Sequence, residues 1–112
     1  MKKVVINSCH GGFGLSHEAV VRYAELKGFD LEIRPEVSSL VPYSYYLNGE
    51  YFYDRAIDRD DPFLIQVVEE LGKLANDRFS DLKIVEIPDD VQWYIEEYDG
   101  VEHVSEVHRI WD

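Results

Sequence analysis

The segment from Cys9 to His17 holds the only cysteine of the chain, two of its four histidines and three glycines. Two chemistries fit these types at this spacing. A thiol next to His10, just ahead of a helix start, has the setting that lowers a cysteine pKa and makes it a nucleophile. The other role open to Cys9 is packing at a strand end, as a small apolar side chain. Gly11, Gly12 and Gly14 permit close backbone approach and positive φ, and a helix N-terminus favours negative charge. On that reading Cys9 and Phe13 lie in an anion cradle shaped by the glycines. Ser16 adds a hydroxyl and His10 a donor or a positive charge. The alternative is a tight turn with no ligand. The segment matches neither the Walker pattern, which needs Gly-Lys-Ser/Thr, nor the full dinucleotide fingerprint.

Three more clusters bear on this site. Arginine is the preferred bidentate partner of phosphate, so Arg109, beside His108, would complete an anion site if the chain's end returns to the opening loop. Tyr45 and Tyr46, in a tyrosine-rich stretch, offer a ring face to stack or cap a ligand, or to shield an interface. In "DRAIDRDDP", Arg55 and Arg59 either neutralise neighbouring aspartates or reach a ligand, with Arg59 carried as a candidate. The aspartates suit helix capping before they suit a cation, since the glycine and distal glutamate of a calcium loop are missing. Glu96, His103, Glu106 and His108 read as cross-strand surface pairs rather than as acid-base or metal-binding groups.

The elements that position these residues follow from hydrophobic period and caps. "KVVINS" is a buried strand. Ser16 caps a helix with Glu18 in its first turn and Gly28 at its end. "FDLEIRPE" alternates as a second strand, which predicts a right-handed βαβ unit with its two strands parallel. Asn48-Gly49 centres a tyrosine-rich hairpin. Asp60 or Asp61, followed by Pro62, opens a second helix whose core face is Leu64, Val67, Val68, Leu71, Leu74 and Ala75. Leu82 to Ile87 is a third buried strand. Asp99-Gly100 joins a closing hairpin that pairs Tyr98 with Val101, Glu96 with His103, Ile95 with Val104, Trp93 with Glu106 and Val91 with His108. The expected fold is a single α/β domain over residues 1 to 112. It has a mixed sheet of about five strands, parallel at the start and antiparallel at the end, two main helices and the tyrosine-rich hairpin.

Bulk properties narrow the function classes. The chain has 112 residues, enough for one core without staples. Eleven Lys and Arg against 23 Asp and Glu give a net charge of -12, which disfavours general nucleic-acid binding and anionic membranes. A lone cysteine leaves no internal disulfide and no cysteine-based zinc site. No apolar run has the length of a signal core or a membrane span, so a cytoplasmic location is expected. No cofactor is implied.

Two resemblances add to this reading. "SCHGGFGLSHEA" after an apolar strand, followed by "ELKGFDLEI", resembles the N-terminal strand-loop-helix of the ribose-5-phosphate isomerase B family. That likeness implies a sugar-phosphate site at His10, Gly11 and Gly12. Cys9 stands where that family has an aspartate, and nothing downstream repeats its catalytic cysteine region, so the isomerase activity is not carried over. "NSCHGGFGLS", "DRDDPFLIQVVEELG" and "LKIVEIPDDVQWYIEEYDGVEHVSEVHRIW" together resemble a family of small uncharacterised bacteriophage and prophage proteins. That resemblance implies a host-cytoplasmic, phage-related setting.

The leading expectation is binding or sequestration of a small anionic, phosphorylated or nucleotide-like ligand, as an anti-defence protein. The first alternative is a small sugar-phosphate or nucleotide enzyme using Cys9 or His10. The second is an acidic inhibitor of a host protein partner, and self-association remains open beside either.

Overall fold

A computed structural model describes residues 1–35 and 43–107. The chain runs β1 (Lys2–Asn7), α1 (His17–Lys27), β2 (Leu31–Pro35), β3 (Tyr43–Leu47), β4 (Glu50–Tyr51), α2 (Pro62–Leu71), β5 (Leu82–Ile87), β6 (Trp93–Tyr98) and β7 (Val101–Glu106). It is an α/β fold with two helices and several small sheets.

The caps and turns form as their residue types dictate. Ser16 Oγ accepts the Ala19 N–H at 3.1 Å, and Gly28 ends α1 in the left-handed conformation at φ 71°. Of the two candidate aspartates, Asp61 caps α2, accepting the Phe63 N–H at 2.8 Å ahead of Pro62. Both hairpins turn through paired positive φ, 52° and 84° at Asn48-Gly49 and 53° and 88° at Asp99-Gly100. The closing hairpin has the expected register from Trp93↔Glu106 to Tyr98↔Val101. The pairing of Val91 with His108 lies outside the described residues.

Strand pairing differs from the expected mixed sheet. β1 pairs antiparallel with β5, while β2 joins β3 and β4 in a separate antiparallel sheet, and β6 with β7 forms a third. Among the described residues no parallel pair forms, so the opening strand, helix and strand are not a βαβ unit. Burial accounts for this. Val4 and Val5 of β1 are fully buried and need apolar neighbours, whereas β2 alternates with charges and is exposed from Glu32 onward. The expectation of a third buried strand does not hold for β5, which is only partly buried and exposes Lys83 and Glu86. Its Ile84 and Val85 nevertheless stand opposite Val5 and Val4, and the adjacent tyrosine-rich hairpin offers β2 an antiparallel partner.

The α2 stripe also ends earlier than its period implies. Gly72 takes φ 56°, α2 stops at Leu71, and a 3-10 turn covers Gly72–Ala75. Ala75 stays in the core, but Leu74 is 67% exposed. The change from 3.6 to 3 residues per turn rotates Leu74 off the buried face. The core proper joins Val5, Phe13, Leu15, Ala19, Val20, Tyr23, Ile57, Leu64, Val67 and Ala75.

The closing hairpin is fastened to β1 by polar groups. Buried Glu102 accepts the Asn7 N–H at 2.8 Å and pairs with both terminal nitrogens of Arg59, at 2.5 and 2.9 Å. Asn7 Nδ2 donates to the carbonyls of Cys9 and Gly100, at 2.7 and 2.8 Å. Removing one member strands a buried charge. Arg59→Met should therefore cost about 3 kcal/mol in denaturant unfolding. Adding Glu102→Gln should recover part of that loss, because the orphaned charge disappears while an oxygen remains for the Asn7 N–H. A double variant no more stable than Arg59→Met alone would contradict the assignment.

Candidate functional site

The opening loop is built around two anchors. Phe13 and Leu15 are 4% and 6% exposed, with the Arg59 guanidinium 3.7 Å over the Phe13 ring. Between anchors the glycines admit the chain's own groups. A Cβ on Gly11 would stand 1.8 Å from the Phe79 carbonyl oxygen, and one on Gly14 would stand 1.9 Å from Asp77 Oδ2. Gly12, at φ 91°, lies beside the Arg55 fork, where a Cβ would stand 2.8 Å from Nη2. The Leu15 N–H donates to Asp54 Oδ2 at 2.9 Å.

Cys9 and His10 turn toward different loops. The Cys9 thiol donates to the Phe79 carbonyl at 3.0 Å and lies 3.4 Å from Asn7 Oδ1. The exposed His10 ring holds Nδ1 3.2 Å from the Asp99 carbonyl and 3.5 Å from its carboxylate. Ser16 spends its hydroxyl on the helix cap and on the Leu74 carbonyl, at 2.5 Å.

Beside the loop lies a cleft of about 510 Å³. Phe13 to His17 form one wall, Tyr43 to Tyr45 of β3 a second, and Tyr51 to Arg55 with Asn76 to Phe79 the rest. The Tyr-rich hairpin is thus the far wall of the opening loop. Of the residues singled out from sequence, Phe13, Gly14, Ser16 and Tyr45 line this cleft. Cys9, His10, Gly11 and Gly12 are not among its lining residues, although Gly12 touches Arg55, which is. Tyr46 points to the opposite face of β3 and stacks under Arg34 at 3.9 Å. Arg59 is held by Glu102, and Arg109 and His108 lie outside the described residues.

Two lining arginines add polarity: Arg55, weighed from sequence as a ligand contact or a neutraliser of aspartates, and Arg78, which sequence reasoning did not single out. Arg55 donates from Nε to the Phe13 carbonyl at 3.1 Å, and Arg78 lies 5.6 Å from the Phe79 ring centre. Among the described residues neither arginine is in an ion pair. Each follows an aspartate fixed by a backbone donor: Asp54 by the Leu15 N–H, and Asp77 by the Phe79 N–H at 2.8 Å. His17 packs its ring 5.5 and 5.8 Å from Tyr43 and Tyr45, with Nδ1 3.0 Å from the Tyr45 hydroxyl. Asp-Arg occurs three times, at 54–55, 58–59 and 77–78, and the available sequence signal was that only the first and last copies stand beside an aromatic residue, Tyr53 and Phe79.

Electrostatics follow from burial. Desolvation lifts the Asp54 carboxyl above its ordinary range, against the opposing pull of the Leu15 N–H, and the nearby Asp77 charge adds to the rise. Desolvation likewise raises the Tyr45 hydroxyl, which stays neutral and able to donate at physiological pH. Among the described residues, no group of three or more His, Cys, Asp or Glu gathers to hold a metal, and no helix is long and apolar enough to cross a membrane.

Comparison of the chain with protein-family models, curated protein sequences and solved structures finds no match.

A raised folded-state pKa means that the folded chain holds the Asp54 proton more tightly than the unfolded chain does. The contribution of Asp54 to stability is therefore fullest below its ordinary value of 3.8 and declines as pH rises through the folded value. Asp54→Asn cannot ionise and retains an acceptor for Leu15. Its melting temperature should rise relative to the parent between about pH 3.5 and pH 7, whereas a constant offset would contradict the burial account.

Proposed function

We propose that this protein binds a small phosphorylated, nucleotide-like ligand in the cleft between the opening loop and the tyrosine-rich hairpin. The observation that carries the reading is the composition of that cleft. Tyr43, Tyr45 and His17 offer ring faces, and Arg55 and Arg78, neither in an ion pair among the described residues, line the same cleft. Aromatic faces stack bases, and arginine forks recognise phosphate. A volume of about 510 Å³ falls in the range of small-molecule sites. In this arrangement charge recognition comes from side chains, and the loop provides the wall on which they are set.

Binding without turnover is favoured over an enzyme built on Cys9 and His10, because those two side chains bond to separate loops. With the resemblance to phage proteins, such binding corresponds to sequestering a nucleotide signal in the host cytoplasm. The acidic-inhibitor alternative draws on the exposed rim rings Tyr51 and Tyr53, 63% and 53% exposed. A protein partner on that rim would persist in excess free nucleotide.

Thermal-shift screening with nucleoside monophosphates, ribose 5-phosphate and inorganic phosphate tests the proposal. A ligand at about 100 times its Kd should add about 2.7 kcal/mol of stability. Arg78→Ala and Tyr45→Ala should each weaken binding about tenfold or more, while His10→Ala should leave it unchanged. Absence of a shift with every phosphate-bearing ligand overturns the proposal.

A further inference from the structure

The cleft contains two carboxylates that phosphate recognition does not use and that would repel a phosphate placed against them. Both meet the opening loop at consecutive residues. Asp77 Oδ2 abuts Gly14, and Asp54 Oδ2 accepts the Leu15 N–H. Each is oriented by a backbone donor, Asp54 by Leu15 and Asp77 by Phe79 at 2.8 Å. Neither is in an ion pair among the described residues, and Arg55 and Arg78 follow them directly in sequence. The cleft is therefore lined by both acceptor and cationic side chains, together with aromatic ones. A carboxylate is acceptor-only and has about four lone-pair sites, so the backbone donors on Asp54 (Leu15 and Arg55) and on Asp77 (Phe79) leave capacity for a ligand.

Resting on the nucleotide reading above, we infer that Asp54 and Asp77 select a guanine-type base, whose edge presents a ring N–H beside an amino group, while Arg55 and Arg78 take the phosphate. The chemistry of the other bases argues for this choice. Adenine and cytosine place one amino donor next to a ring nitrogen acceptor, and that acceptor would face carboxylate lone pairs. Uracil places its single N–H between two carbonyl acceptors. Guanine alone sets two donors side by side, matching the two oxygens of one carboxylate as an arginine fork does. Its ring then lies within reach of the Tyr43, Tyr45 and His17 faces. Hypoxanthine keeps the ring N–H and lacks the amino group, so it isolates the second contact.

Isothermal titration with guanosine, inosine and adenosine 5′-monophosphates, on the parent chain and on Asp54→Asn and Asp77→Asn, tests the inference. Guanosine monophosphate should bind at least about tenfold more tightly than adenosine monophosphate, with inosine monophosphate between them. At least one Asn variant should lose that preference while keeping its adenosine monophosphate affinity, because an amide presents a donor to the base edge. Equal affinity for all three nucleotides in the parent chain overturns the base selection and leaves the nucleotide site standing. A preference that survives in both variants overturns the assignment to these carboxylates. No binding of any of the three at millimolar concentration overturns the nucleotide reading itself, and the base selection with it.

Discussion

The buried pair of Arg59 and Glu102 is the constraint on which the rest of this structure depends. It joins the segment before α2 to β7, and through Asn7 it reaches the end of β1, where the opening loop begins. The side chains of the pair are 13% and 8% exposed, so neither charge has water as a substitute partner. The guanidinium also covers the Phe13 ring, fixing the loop from its inner side. Among the described residues the β1–β5 and β6–β7 sheets share no hydrogen-bond ladder, and these contacts hold the two together.

The opening loop takes on a different meaning in this setting. Its glycines admit the Phe79 carbonyl, the Asp77 carboxylate and the Arg55 fork, groups of the same chain. Two of the N–H groups around it meet the chain's own carboxylates, Asn7 with Glu102 and Leu15 with Asp54. The loop is thus a hub on which distant segments are set close together. What it offers a ligand is the side chains gathered beside it. Arg55 shows the arrangement most directly, with Nε fixed by the loop carbonyl of Phe13.

Local features were legible in the sequence wherever their cause was local. Ser16, Gly28, Asp61 and Pro62 act through neighbours a few residues away, and the positive φ demanded by Asn48-Gly49 and Asp99-Gly100 fixed both hairpins. Strand partnership was not legible, because it depends on which distant strand can set apolar side chains opposite the buried Val4 and Val5, as Val85 and Ile84 of β5 do. β2, with its exposed charges, could not take the place beside β1 that β5 took. Arg59 illustrates the same limit: its partner lies 43 positions away, on the far side of two strands. The cleft was half legible. Phe13, Gly14, Ser16 and Tyr45 were singled out by type and Arg55 was weighed chiefly as a neutraliser of aspartates, whereas Arg78 lies in a distant segment and only the fold brings it into the same cleft.

The central claim is that a nucleotide is held by side chains in the cleft and not by the loop backbone around Cys9 and His10. Titration of the isotope-labelled protein with guanosine 5′-monophosphate, followed by NMR, tests this most directly. The account predicts saturable shifts at the Arg55 and Arg78 side-chain Nε–H groups and at His17 and Tyr45, with the Cys9 and Gly11 amides unmoved. Shifts confined to the Cys9 to Gly11 backbone, or none at all, would contradict it.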